Sequence, residues 1–136
     1  MQANPAYDDV VAEVTRFLAE RADALIEAGV DPARVIVDPG IGFGKRFEDN
    51  WELLRNLDSI GDLGYRLLVG LSRKSFLGHL LYDDEGDRPA DGRLSATIAA
   101  QLWCTIHGVE IIRVHDVQAM RDVLRVWKEL SEPDRT

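Results

Sequence analysis

Asp38-Pro39-Gly40-Ile41-Gly42-Phe43-Gly44-Lys45 follows the β-branched run Val35-Ile36-Val37, and reading that junction as a strand ending in a glycine-rich turn decides the fold. Two further runs repeat the pattern. Ser72-Arg73-Lys74-Ser75 follows Leu67-Leu68-Val69, and Arg113-Val114-His115-Asp116 closes the apolar stretch that begins at Glu110. A short apolar strand ending in charged or glycine-rich residues and then feeding a helix places those residues at the carboxyl edge of a parallel sheet. In (β/α)8 barrels that edge carries the chemistry.

The chain of 136 residues, 46% hydrophobic, can bury a core. It is too short for a complete barrel of about 250 residues. The expected fold is therefore α/β, a partial (β/α)8 TIM barrel of about three parallel strand-helix units behind a leading helix, with residues 1–136 forming one unit. A helix ahead of the first strand implies a further strand before it, because parallel crossovers run strand, helix, strand. The open sheet edges should also be covered by something else. No apolar run of about 18 residues is present and the amino end does not resemble an export signal, so the expectation is a cytoplasmic protein without a membrane partner.

A net charge of −8 argues against nucleic acid, whose phosphates demand an excess of Lys and Arg. The lone Cys104, within the apolar Ala99-Ala100-Gln101-Leu102-Trp103-Cys104, excludes a disulfide framework and reads as a buried small hydrophobe. Only three lysines stand against 13 arginines, and two of the three, Lys45 and Lys74, fall in the strand-end motifs.

Periodicity supplies the remaining elements. Val10, Val11, Val14, Phe17, Leu18 and Leu25 predict a long amphipathic helix from Tyr7 to a cap at Gly29. Apolar continuity predicts that the first strand is covered on both faces. Asn50 is expected to cap a helix carrying Trp51, Leu53, Leu54, Leu57 and Ile60, ending near Gly61 or Gly64. Residues 72–81 read as a turn and a short helix, and residues 83–92 as a solvated acidic loop. Leu94, Ile98, Leu102 and Ile106 should lie on one face of an alanine-rich helix over 93–107. Asp116 is expected to cap a last helix with Val117, Met120, Val123, Leu124, Trp127 and Leu130 on one stripe, ended by Glu132-Pro133-Asp134.

The glycine turn fits neither phosphate-loop nor dinucleotide spacing, since Arg46 follows Lys45 and the third glycine comes early. Asp38 at the strand end can accept two hydrogen bonds from an amidine-like ring edge, and Phe43 can supply an apolar wall. The Ser72-Arg73-Lys74-Ser75 turn is expected to bring backbone donors and two cations to one anion-attracting place. Arg113 and His115 share a strand face and suit a phosphate or pyrophosphate. His79 and His107 read as ordinary structural histidines.

These three motifs, in this order, resemble the carboxyl-terminal half of the dihydropteroate synthase family, within the pterin-binding barrel group. Met1-Gln2 is similar to the end of another strand motif of that family. The resemblance runs from about Met1 to Leu130. It implies a transferase that joins para-aminobenzoate to a dihydropterin carrying a methylene pyrophosphate, in folate biosynthesis. Position by position, it implies that Asp38 and Lys74 act catalytically on the pterin edge. Phe43 would flank the ring and the aminobenzoate, Ser75 would receive the aminobenzoate carboxylate, Arg73 would shape the pocket, and Arg113 with His115 would grip the pyrophosphate. Magnesium is implied as cofactor, with its ligand in the family's amino-terminal half and no metal ligand in this chain.

Half a site implies a chain inactive until an amino-terminal half complements it. The competing expectation is a non-catalytic pterin- or phosphate-binding half-barrel that assembles as an oligomer. Either way a homo-oligomer or a complementing half is the expected partner, alongside the small-molecule substrates. In the family the last helices form a dimer surface, so Trp103 and Trp127 meet either another chain or the core.

Overall fold

A computed structural model describes residues 6–132. The readings of Met1-Gln2 and of Pro133-Asp134 lie outside the described residues. Helix α1 (Val10–Glu27) leads, followed by strand β1 (Ile36–Val37), helices α2 (Phe47–Arg55) and α3 (Leu57–Gly61), strand β2 (Arg66–Val69) and helix α4 (Ser75–Leu80). Helix α5 (Leu94–Ile106), strand β3 (Ile111–Ile112) and helix α6 (Val117–Ser131) complete the order. The strands form one parallel sheet, β1-β2-β3, in which Val37 lies opposite Leu67, Leu68 opposite Ile111 and Val69 opposite Ile112. This is the expected partial barrel, three strand-helix units behind a leading helix.

Alternation along the strands sorts two faces. Val35, Val37, Leu67 and Val69 are buried in one core with Val14 and Leu18 of α1, Leu53 and Leu54 of α2, and Leu57 and Ile60 of α3. The opposite face, carrying Ile36, Leu68 and Ile111, is not closed, and Ile36 is 45% exposed. Cover on both faces, expected from the apolar run, is therefore not seen among the described residues. Three strands cannot curl far enough to meet.

Helix α1 starts three residues later than its periodicity predicts. Asp9 Oδ1 accepts the Ala12 N–H at 2.9 Å, and Glu13 reaches back to the Asp8 and Asp9 N–H groups at 2.9 and 3.3 Å, a reciprocal cap that sets the first turn. Val10, Val14, Leu18 and Ala22 make its buried seam, while Phe17 and Leu25 stand on the exposed flank. Gly29, at φ +93°, ends it by donating to the Ile26 carbonyl at 2.8 Å.

The next helix departs from expectation in a way that matters for the site. Asn50 does not cap it. The helix begins at Phe47 because Asp49 takes the Arg46 N–H at 2.8 Å and the Arg46 guanidinium at 2.8 Å, a contact that holds the Asp49 carboxyl below the usual carboxylate range. Asn50, one turn in, is left free to turn its amide toward the glycine turn. The predicted single helix also breaks at Asn56 into α2 and α3.

Helix α5 buries Cys104 as expected, on a face other than its large apolar stripe. Thr97, Gln101 and Cys104 are buried, whereas Leu94 and Ile106 are exposed and Ile98 and Leu102 are half-buried. Burial pushes the Cys104 thiol up to about 12, which keeps it protonated and inert. Helix α6 buries only Met120, and Val117 and Leu130 of its stripe are exposed.

Candidate active site at the carboxyl ends of the strands

Chain direction brings the three motifs together, since parallel strands end on the same edge. The glycine turn after β1 is locked from within. Lys45 Nζ donates to the Gly40 carbonyl at 2.9 Å and to the Phe43 carbonyl at 3.3 Å, Gly40 N–H donates to Asp38 Oδ1 at 2.8 Å, and the Asn50 side-chain oxygen accepts the Gly42 N–H. Asn50 Nδ2 in turn donates to the Arg46 carbonyl at 2.7 Å. The amide of a single buried asparagine thus ties the apex of the turn to the start of α2. Gly40, Gly42 and Gly44 all have φ between +55° and +79°, the left-handed region that a Cβ disfavours.

Gly42 has a second reason to be glycine: a Cβ there would collide with the Lys74 side chain. That contact is how the turns after β1 and β2 meet. The Lys74 ammonium donates to the Ile41 carbonyl and sits 3.8 Å from the centre of the Phe43 ring, a cation over an aromatic face. Desolvation pulls its pKa down to about 8, Asp38 pulls it back up, and Arg113 and Lys45 push it down. Asp38, Lys45, Lys74 and Arg113 therefore share one electrostatic neighbourhood. Lys74 and Asp38 form no ion pair within 4 Å among the described residues.

Arg113 arrives from β3. Its guanidinium lies about 3.0 Å from where a Cβ on Gly70 would be, so the missing side chain at the end of β2 makes the room that the arginine fills. His115 is exposed; its N–H donates to Ser72 Oγ at 3.1 Å and its Nδ1 lies 2.8 Å from the same oxygen. The serine that opens one motif thereby orients the histidine of another.

The two cations of Ser72-Arg73-Lys74-Ser75 do not converge as expected. Arg73 donates from Nε at 3.1 Å and Nη2 at 2.7 Å to the Asp116 carboxylate, while Lys74 turns to the glycine turn. The reason is the backbone: Arg73 has φ +59°, which swings successive side chains apart. Asp116 is accordingly occupied by Arg73 and makes no side-chain cap for α6, although it stands at the cap position. The pairing holds the Asp116 carboxyl below its usual range.

Two hollows flank Lys45. One of about 500 Å³ lies between α1 and the glycine turn, lined by Tyr7, Glu13, Arg16, Phe17, Asp38 and Lys45 among others. The other, about 260 Å³, is lined by Gly42, Lys45, Asn50, Ser75, Phe76 and His79, and brings Ser75 at the head of α4 within the same turn's reach. His79 pairs with Asp87 at 3.0 Å and His107 approaches Asp58 at 3.5 Å.

The polar side chains at the strand ends are lysines, arginines, a histidine and two carboxylates, of which Asp116 is held by Arg73. Among the described residues no three His, Cys, Asp or Glu side chains gather in a way that could hold a metal ion. The magnesium implied by the resemblance does not fit this set. No helix among the described residues is long and apolar enough to cross a membrane.

The motifs flagged Asp38, Phe43, Arg73, Lys74, Ser75, Arg113 and His115, and missed Asn50, Ser72 as orienter of His115, and the buried pair Thr97 and Gln101. Gln101 Nε2 donates to the Arg113 carbonyl at 3.3 Å, and Thr97 Oγ1 accepts the Arg73 N–H at 3.0 Å. A usable signal existed: Thr97, Gln101 and Thr105 recur every four residues, a polar line along a largely apolar helix.

Known proteins are similar to this chain in sequence and in fold. A curated dihydropteroate synthase of Neisseria meningitidis serogroup C is 44% identical over 132 residues, 96% of this chain and 45% of its own length. The Xanthomonas albilineans dihydropteroate synthase in complex with 7,8-dihydropteroate superposes with a TM-score of 0.89 at 42% identity, covering 98% of this chain and 50% of that one. The same enzyme with 4-aminobenzoic acid gives 0.88 at 44% identity, covering 95% and 46%. The chain thus spans about half the length of the relatives it matches. The family described as Pterin binding enzyme matches residues 1–115, which include the glycine turn, the Ser72-Arg73-Lys74-Ser75 turn, Arg113 and His115. With that match and those strand ends, the chain belongs to the pterin-binding enzyme family.

Proposed function

We propose that this chain carries the pterin and pyrophosphate side of a dihydropteroate synthase site, joining para-aminobenzoate to a dihydropterin methyl pyrophosphate. The observation that supports this most is Lys74, a partly desolvated ammonium held between the Ile41 carbonyl and the Phe43 ring, with Asp38 and Arg113 in electrostatic reach. Asp38 accepts two hydrogen bonds from the amidine edge of the pterin, and Lys74 donates to its carbonyl oxygen and ring nitrogen. Phe43 walls the ring, Ser75 receives the aminobenzoate carboxylate at the head of α4, and Arg73 keeps the pocket's shape. Arg113 and His115 donate to the diphosphate. As the bond from the methylene carbon to the pyrophosphate oxygen breaks, the Arg113 charge and the His115 hydrogen bond stabilise the departing oxygens. The aminobenzoate nitrogen then forms the new carbon–nitrogen bond and releases a proton. The Xanthomonas albilineans relative is a complex with 7,8-dihydropteroate in one structure and with 4-aminobenzoic acid in another, which supports both substrate classes.

The open inner face of the sheet and the hollow beside β1 support a complementing amino-terminal half as partner. The exposed Trp103, Val126 and Leu130 support self-association through the last helices. Cytoplasmic placement belongs to the same proposal.

The test is complementation. The purified chain is mixed with the separately expressed amino-terminal half of the Neisseria meningitidis relative, and dihydropteroate is measured. Turnover is expected in the mixture and at least about 10³-fold less with the chain alone, because contacts missing from half a site remove several kcal/mol of transition-state stabilisation. Full turnover by the chain alone would contradict the proposal. Pterin binding with no turnover in the mixture would favour the non-catalytic half-barrel.

A further inference from the structure

Arg73 is the sole non-glycine residue with positive φ among the described residues, and it stands directly before Lys74. Left-handed backbone is disfavoured for a residue with a Cβ, so neighbouring groups have to hold it. Three do. Thr97 Oγ1 accepts its N–H at 3.0 Å, Arg93 Nη1 donates to its carbonyl at 2.9 Å, and Asp116 takes its guanidinium through two bonds. Each holder comes from a different segment: the first half of α5, the turn ahead of it, and the residue before α6.

The two ends of this frame differ in kind. Thr97 is 2% exposed and lies on the buried face of α5. One turn later on that face, Gln101 holds the Arg113 carbonyl. Asp116 is partly exposed and adjoins His115. The frame thus spans both cation-bearing motifs, and it fixes the residue whose unusual backbone sends Lys74 toward the glycine turn.

We propose that Thr97 and Asp116 are positioning residues that hold Arg73 left-handed and so aim the Lys74 ammonium at the Ile41 carbonyl and the Phe43 ring. Its meaning for catalysis rests on the function proposed above, but the aim of Lys74 can be read without substrate. Lys74 in place is partly desolvated and flanked by Arg113 and Lys45; released, it becomes an ordinary solvated lysine.

The experiment is competitive trace acetylation of the 136-residue chain with acetic anhydride across about pH 6 to 11, the range over which amines lose their proton. Lys74 and, as internal reference, the exposed Lys128 are followed by peptide mass spectrometry. In the native chain Lys74 is expected to titrate near 8. In Thr97→Val the Lys74 midpoint should rise by at least about one unit, toward about 10.4, and Thr97→Ser should restore it.

Asp116→Asn should also raise it. Removing a carboxylate by charge alone would lower a lysine's midpoint, so a rise reports lost positioning. This second variant changes a partly exposed side chain and carries the test if Thr97→Val fails to fold. A Lys74 midpoint that starts in the ordinary range, stays fixed in Asp116→Asn or falls there would overturn the proposal. If the midpoints move as expected but the complementation assay yields no dihydropteroate, the functional reading fails and the positioning stands.

Discussion

Replacing Lys74 by methionine in the complemented protein is expected to lower kcat by about 10²–10³-fold, the scale of losing one preorganised donor from a site where charge develops. Methionine keeps the aliphatic reach that packs against Gly42 and removes only the charge, so the loss should fall more on kcat than on KM for aminobenzoate. Lys74→Arg should not rescue, because the space beside Gly42 and over Phe43 admits a slender ammonium arm and a planar guanidinium is wider. The native enzyme should lose activity as pH rises through about 8, where Lys74 gives up its proton. Steady-state kinetics across pH on the three proteins reads all of this. A methionine variant within about threefold of native kcat at pH 7 would contradict the role given to Lys74.

The largest expected effect on stability is at Leu71. It is fully buried immediately after β2, where the strand hands over to Ser72 and the turn that carries Lys74. Leu71→Ala should cost about 2–5 kcal/mol, from lost transfer free energy and the cavity left behind. Domains of this size hold only about 5–15 kcal/mol in total. Leu130→Ala, at an exposed position on α6, should change stability by less than about 0.5 kcal/mol. Urea unfolding followed by circular dichroism measures both. Comparable midpoints for the two variants would mean that the core is not centred where the strands end.

Much of the site was legible because its chemistry is local. Asp38 with its glycines, Ser72 to Ser75, and Arg113 with His115 are contiguous runs, and a strand followed by a turn needs only a few residues to be recognised. What was not legible depends on partners distant in sequence. Asn50 looks like a cap from its neighbours, yet its amide serves Gly42, eight residues back. Thr97 serves Arg73, 24 residues away, and Gln101 serves Arg113, 12 residues away.

Helix α5 shows what periodicity alone does not tell, namely which face turns inward. Leu94, Ile98, Leu102 and Ile106 repeat at helical spacing, but the face turned inward is the one whose polar groups satisfy the rim turns. Burying those hydrogen bonds outweighed burying the larger stripe, since an unpaired buried backbone group costs about 1–3 kcal/mol. Arg73 likewise gave no sign of its backbone, because left-handed residues are read from glycine, asparagine or aspartate. The convergence of two cations expected at that turn failed for this reason.

The central claim is that Asp38, Lys74, Arg113 and His115 serve a single small molecule. A crystal structure of the complemented protein with dihydropterin pyrophosphate tests it most directly. The account predicts the pterin edge on Asp38 and Lys74, its ring against Phe43, and the diphosphate between Arg113 and His115. An ordered ligand bound elsewhere, with these four side chains out of its reach, would contradict it.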